Sequence, residues 1–133
     1  MAPELTGVLE TVLYVTDLER AERFYGEALG LRLIAREPGR SLFYRAGPGV
    51  LLLFRAEATR QAGTLPAHGA DGPGHSCFRV PAPAYEPWKR HLADRGVTIL
   101  QEVDWPRGLS FYFRDPDGNL LEIANADIWA QDA

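Results

Sequence analysis

The sequence predicts an α+β fold built from two βαβββ modules, and two observations carry that prediction. First, the chain repeats itself. Shifted by about 65 residues, Leu13-Tyr14-Val15 falls on Phe78-Arg79-Val80; shifted by about 69, the run from Phe43 to Phe54 falls on the run from Tyr112 to Ile123. Aromatic, Arg, turn and apolar positions coincide in the longer match. Second, the hydrophobic period changes in the same order within each copy: strand-like alternation, helical spacing, then three more strand-like stretches. A copy of roughly 60 residues buries too little surface to be comfortable alone, so two copies sharing a core is the expected solution.

Module one spans about residues 8–55. Residues 8–15 alternate as a strand, and Asp17 offers a helix N-cap. Ala21, Phe24 and Ala28 recur on one helical face, and Gly30 stops the helix. Strands are expected near 31–37, 40–46 and 50–55, with a Gly-rich turn between the last two. Residues 56–73 are rich in Ala, Gly and Pro, show no apolar period and read as a mobile linker. Module two covers about 74–124. It runs as a strand at 74–80, a helix with Tyr85, Trp88 and Leu92 on one face and Gly96 as its stop, and strands near 97–103, 109–114 and 119–124. A tail, 125–133, comes last, and the whole reads as a single domain, 1–133.

Composition excludes several classes of function. The 133 residues are 46% hydrophobic and 24% charged, a globular balance. The formal net charge is −4 and there is no Lys/Arg block, which argues against nucleic acid as a partner. No apolar run approaches the roughly 18 residues of a membrane span. The opening residues lack the basic and apolar regions of a secretory signal. The single cysteine, Cys77, rules out an intrachain disulfide and a Cys-rich zinc site. A cytoplasmic protein is the expectation.

Strand parity decides which side chains can meet. In the first strand, Thr11, Leu13 and Val15 share the face expected under the helix, which sends Glu10, Val12 and Tyr14 to the opposite, inner face. Ser76, Phe78 and Val80 likewise suit the helix side, leaving His75, Cys77 and Arg79 inward. In the closing hairpin, Phe111, Phe113, Leu121 and Ile123 pack on the helix. Ser110, Tyr112, Leu120 and Glu122 then point inward. Glu10 and His75 are equivalent in the repeat, and Glu122 is equivalent to Leu53. Three of these four positions carry side chains able to ligate a metal. Two carboxylates in a partly dry cleft repel each other, and a divalent cation removes that difficulty: two carboxylates, a neutral imidazole and M²⁺ sum to zero. The set favours hard ions such as Mn²⁺, Fe²⁺ or Mg²⁺, with Zn²⁺ also admissible. Tyr112 is the candidate hydrogen-bonding or acid–base group beside the metal. Tyr14, Arg79 and Arg107 are candidate substrate contacts. Cys77 reads as a small packed residue, and His68 and His91 as surface residues.

Leu9-Glu10-Thr11-Val12-Leu13-Tyr14-Val15-Thr16-Asp17-Leu18, followed by Phe24-Tyr25 and Leu29-Gly30-Leu31, resembles the opening of the vicinal oxygen chelate superfamily. That group holds the glyoxalases, bleomycin-resistance proteins, fosfomycin-resistance proteins and extradiol dioxygenases. Gly72-Pro73-Gly74-His75-Ser76-Cys77-Phe78-Arg79-Val80 resembles the start of its second module. Phe111-Tyr112-Phe113-Arg114-Asp115-Pro116-Asp117-Gly118-Asn119-Leu120-Leu121-Glu122 resembles its closing hairpin. The resemblance implies a glyoxalase-like curved sheet or half-barrel, with metal ligands at the positions of Glu10, Leu53, His75 and Glu122. Glu10 stands where a His is more usual, and Leu53 where glyoxalase I has a Glu. The implied function is a metal-dependent enzyme, a lyase, isomerase or dioxygenase, acting on a small oxygen-chelating substrate, with Tyr112 and Glu122 as catalytic residues. The alternative is a metal-free binding protein that sequesters an antibiotic, as bleomycin-resistance members do. A thiol or water transferase acting on an epoxide is a third reading. The resemblance also implies a homodimer in which each site draws Glu10 from one subunit and His75 and Glu122 from the other.

Overall fold

A computed structural model describes residues 1–61, 63–125 and 127–129. The elements run β1 (Glu10–Tyr14), α1 (Leu18–Glu22) continuing as a π-helical segment (Arg23–Ala28), β2 (Arg32–Glu37), β3 (Ser41–Ala46), β4 (Gly49–Phe54), α2 (Ala56–Thr59), β5 (His75–Arg79), α3 (Tyr85–Asp94) after a 3₁₀ turn, β6 (Gln101–Trp105), β7 (Gly108–Arg114) and β8 (Leu120–Ala124). The chain divides into two compact units, Met1–Asp71 and Gly72–Ala133. Each holds one four-stranded sheet, ordered β1-β4-β3-β2 in the first and β5-β8-β7-β6 in the second. Each is therefore βαβββ, and the two orders are the same once the repeat is taken into account. The parallel pairs, β1 with β4 and β5 with β8, are the ones that a long crossover makes possible.

In the first unit Asp17 caps α1, its Oδ1 accepting from the Arg20 backbone N–H at 3.1 Å. The helix then widens: the Leu29 N–H bonds to the Phe24 carbonyl, five residues back, at 3.0 Å. The residue this helix buries is Tyr25, fully covered beside Ala21 and Ala28, rather than the expected Phe24, which is half-buried. Tyr25 lies over Tyr44 of β3 with ring centroids 6.2 Å apart. Leu13, Leu42, Leu51 and Leu53 complete the apolar layer beneath the helix.

In the second unit two of the three residues expected on the α3 face are buried and the third, Trp88, is half-buried. Tyr85 and Leu92 are buried, and Tyr85 meets Phe111 edge-on at 5.5 Å between centroids. Gly96, at φ +81°, adopts the left-handed conformation that ends this helix, and the Val97 N–H turns back to the Leu92 carbonyl at 2.9 Å. That cap holds the chain after Gly96, so the next strand begins at Gln101 rather than 97. The other strand ends fall within about two residues of expectation.

Residues 56–73 are not featureless. One helical turn, α2, opens the stretch, and the His68 N–H bonds back to the Thr59 carbonyl at 3.0 Å. Arg60 and Asp71 pair at 2.7 Å.

Candidate functional site

Register places the candidate residues within each unit. In the first, Glu10 lies opposite Val50, Val12 opposite Leu52 and Tyr14 opposite Phe54. These share one sheet face. Leu53 lies opposite Leu13 and is fully buried on the helix side. The expected equivalence of Leu53 with Glu122 is thus corrected: in the second unit Cys77 lies opposite Glu122, as Val12 lies opposite Leu52. Leu52 is the true counterpart. The cause is turn length. Four residues separate the paired Arg45 and Val50, and five separate the paired Arg114 and Leu120. The offset between copies therefore grows by one across the turn, which changes face assignments in β4.

The five-residue turn, Asp115 to Asn119, is built around buried polar groups. Asp115 Oδ1 accepts from the backbone N–H groups of Asp117 and Asn119, each at 2.9 Å, and its Oδ2 accepts from the Asn119 side-chain amide at 2.9 Å. Gly118 takes φ +87°, a conformation that costs other residues strain. The Asn119 side-chain oxygen in turn accepts from the Gly74 N–H at 2.7 Å. The turn therefore fixes the start of β5, one residue ahead of His75.

His75 and Glu122 meet on the face of this sheet opposite α3. His75 Nε2 lies 3.3 Å from Glu122 Oε1. His75 Nδ1 lies 2.8 Å from the Leu120 carbonyl, an acceptor that requires the proton on Nδ1 and leaves Nε2 with a lone pair in the neutral ring. Glu122 is only 4% exposed, and its Oε2 has no hydrogen-bond partner among the described residues. A buried carboxylate oxygen left in this condition is costly and asks for a cation or a donor. The separation suits a cation. Two donors bonded to one metal at about 2.1 Å stand roughly 3.0–3.4 Å apart for octahedral to tetrahedral angles. Among the described residues no three His, Cys, Asp or Glu side chains gather closely enough to hold a metal ion, so His75 and Glu122 form a two-donor half-site.

Tyr112 flanks the pair. It lies opposite Glu122 in the β7–β8 register, and its ring stacks on His75 at 6.1 Å between centroids. Burial first, then the Glu122 charge, raises its pKa above the usual tyrosine value. Cys77 is exposed as a residue, but its thiol sits beside the same carboxylate. Desolvation of the sulfur, followed by the Glu122 charge, pushes it up to about 12, so it is a neutral thiol at physiological pH.

The remaining sequence candidates are spread out. Glu10 is exposed at the start of β1. Arg79 is exposed at the far end of β5, 3.8 Å from Asp127. Arg107 lies in the exposed turn between β6 and β7, about 17 Å of extended chain from Tyr112. Tyr14 has a partner that sequence reasoning left on the surface. Its hydroxyl meets His68 Nδ1 at 2.5 Å, and the His68 ring packs edge-on against Phe54 at 4.9 Å between centroids. His68 is exposed, but it stands on the Glu10 face of its sheet. No periodicity marks a residue held by a loop, and proximity to Tyr14 is a property of the fold alone.

Two mixed four-stranded sheets of βαβββ order, one bearing a His–Glu pair on the face away from its helix, define a class with many members. The chain belongs to the Glyoxalase/Bleomycin resistance protein/Dioxygenase superfamily, whose sequence pattern matches residues 7–123. It is 35% identical over 119 residues to the glutathione transferase FosA of Serratia marcescens, covering 90% of this chain and 80% of that protein. The crystal structure of a lactoylglutathione lyase from Agrobacterium tumefaciens superposes with a TM-score of 0.90 at 32% identity, covering 97% of this chain and all of that one. A glyoxalase-related enzyme from Fulvimarina pelagi superposes at 0.69 with 29% identity, covering 90% and 88% of the two chains.

Proposed function

We propose that this chain is a divalent-metal-dependent enzyme that acts on a small substrate presenting two neighbouring oxygens. Glu10, His75 and Glu122 would hold the ion, with Mn²⁺, Fe²⁺, Mg²⁺ or Zn²⁺ as the candidates. The observation that carries this reading is the unpartnered, buried Oε2 of Glu122 beside an imidazole nitrogen oriented by the Leu120 carbonyl. A bound ion would supply Lewis acidity toward the substrate's oxygens. The chain's own residues do the rest. Tyr112, neutral because its pKa is raised, donates a hydrogen bond or a proton from beside Glu122. Cys77, a neutral thiol, is exposed rather than packed as expected and is not an activated nucleophile. Tyr14 and Arg79 are proposed substrate contacts, and Arg107 an outer one.

Relatives narrow the substrate class to be assayed first. The Serratia marcescens and Agrobacterium tumefaciens proteins, at 35% and 32% identity, are both named for glutathione chemistry. The specific form we propose is therefore a reaction on a glutathione thioester or thiol adduct, with transfer of glutathione to an electrophile such as an epoxide as the second assay. A metal-free binder is the competing reading, and the His75–Glu122 pair weighs against it, since a purely sequestering cleft has no use for a buried carboxylate half-paired with an imidazole.

The third ligand is proposed to come from a second copy. A twofold dimer with Glu10 of one subunit joining His75 and Glu122 of the other gives two equivalent sites. Subunit mixing tests the metal and the dimer together. Glu10→Ala and His75→Ala/Glu122→Ala variants, each unable to bind Mn²⁺ alone, should recover one Mn²⁺ site per heterodimer after exchange. A monomer at working concentration, or verified exchange without recovery, refutes the shared site. Wild-type protein that takes up none of the four ions refutes the metal reading itself.

A further inference from the structure

The first unit has a cleft on the opposite side of its sheet from Glu10. It has a volume of about 370 Å³ and is lined by the helix through Glu19, Glu22, Gly26 and Glu27, and by Leu31, Leu33 and Tyr44. That is within the range of about 300–1,000 Å³ typical of small-molecule sites. Tyr44 points from β3 on the face of Leu42 and Leu51, whereas Glu10, Val12 and Leu52 take the other face.

Three observations at this cleft go together. Tyr44 is completely buried as a residue, yet its hydroxyl has no hydrogen-bond partner among the described residues. Such a group is costly to leave unpaired. The hydroxyl lies against Gly26, where an added Cβ would stand 3.7 Å from it, and both residues line the cleft. The wall at this point is the π-helical segment, Arg23–Ala28, a rare geometry that recurs at functional sites. Finally, the lining carries three carboxylates against one guanidinium, Arg23. Arg36 clasps Glu22 from outside the lining set, while Glu19 and Glu27 have no ion-pair partner among the described residues.

The carboxylates are spread, not convergent. Glu19 and Glu27 stand eight residues apart on the helix, about 12 Å along an ideal axis. No three acidic or imidazole groups among the described residues gather as a metal site. A compact divalent ion is therefore a poor match, and an extended cation is a good one. We propose that this cleft binds a linear aliphatic polyamine. Its terminal ammonium groups would reach Glu19 and Glu27, its central nitrogen would donate to the Tyr44 hydroxyl beside Glu22, and its methylenes would lie on Leu31 and Leu33. The site is separate from the metal site proposed above and does not depend on it.

Titration calorimetry with spermidine in dilute, amine-free buffer tests this on the full chain. The expected result is saturable 1:1 binding, at least tenfold weaker in Tyr44→Phe and in Glu19→Gln/Glu27→Gln. It should be several-fold weaker for 1,4-diaminobutane, which cannot span the two glutamates, and unaltered in Glu122→Gln. Tyr44→Phe keeps the ring packed on Tyr25, and the glutamate variant changes only exposed residues, so loss of fold does not confuse the comparison. Circular dichroism confirms it for both. Because the chain is acidic, Glu4→Gln/Asp94→Asn serves as the charge control. Absent saturation, an undiminished affinity in Tyr44→Phe, equal weakening in the charge control, or displacement of spermidine by equimolar Mg²⁺ each overturns the proposal.

Discussion

Replacing Glu122 by Gln should separate metal binding from folding in opposite directions. In the wild type the side chain is 4% exposed, with one oxygen 3.3 Å from His75 Nε2 and the other unpartnered. Glutamine keeps the shape and a hydrogen-bonding atom toward His75 but removes the formal charge. An unsatisfied buried polar atom costs about 1–3 kcal/mol, more when charged. The metal-free variant should therefore be at least as stable as the metal-free wild type, by up to about 1–2 kcal/mol, or a rise of roughly 3–6 °C in Tm. The metal effect runs the other way. Wild type at an ion concentration 100-fold above Kd gains about 2.7 kcal/mol, whereas a variant whose affinity has fallen 100-fold gains only about 0.4 kcal/mol at the same concentration. The assay is thermal melting with and without Mn²⁺ on both proteins, alongside direct metal analysis. A variant destabilised without metal, and equally stabilised by Mn²⁺, would show that Glu122 is a structural residue and would refute the reasoning.

Tyr112→Phe should leave the fold and metal content intact and lower turnover by about 10²–10⁴-fold if its hydroxyl moves a proton; unchanged turnover removes it from the chemistry. Asp115→Ala strips the acceptor from two backbone N–H groups and the Asn119 amide, and should cost about 3 kcal/mol in chemical denaturation. The Glu102 carboxylate accepts from Lys89 and Tyr85 at 2.8 and 2.7 Å, which holds its pKa below the usual 4.5. A depressed acid contributes stability above its unfolded value and loses it as pH falls through the folded one. The Tm gap between wild type and Glu102→Gln should thus be present at neutral pH and disappear as pH falls through the folded-state value, which lies below 4.5. With the carboxylate 41% exposed, solvent screening limits the effect to well under 1 kcal/mol, and added salt should shrink it further. A gap that persists unchanged in acid contradicts the assignment.

How much of the fold and site was legible in the sequence depends on the length scale of the cause. Alternation and caps are local, so both βαβββ units, the Asp17 cap and the Gly96 stop could be read directly. The shared faces of Glu10 with Tyr14, and of His75 with Tyr112 and Glu122, came from parity within single strands. Leu53 failed because its face depends on the number of residues in a turn, and a repeat match anchored before the turn carries no information about the strand beyond it. Phe24 failed because Phe24 and Tyr25 fit a helical face equally well, and the π-helical turn decides between them through packing on Tyr44. His68 was missed because a contact across 54 residues leaves no trace in local pattern. The unpartnered hydroxyl of Tyr44 could not be seen at all without the surrounding atoms.

The Asp115–Asn119 turn acts as a phase setter for the strand downstream of it. Side chains in a strand alternate with a period of two, so the pairing of Arg114 with Leu120 that the turn closes on puts Leu120 and Glu122 on one face and Leu121 and Ile123 on the other. The first unit reaches the same phase with a turn one residue shorter: Arg45 pairs with Val50 across four residues where Arg114 pairs with Leu120 across five, and Leu52 keeps the face that Glu122 holds in the second unit. A donor could be written into that unit by a single substitution at Leu52, which is buried there as Glu122 is in the second. Duplicated modules of this kind can thus differ in the length of a surface loop, and in the chemistry of a single strand position, while their folds remain the same.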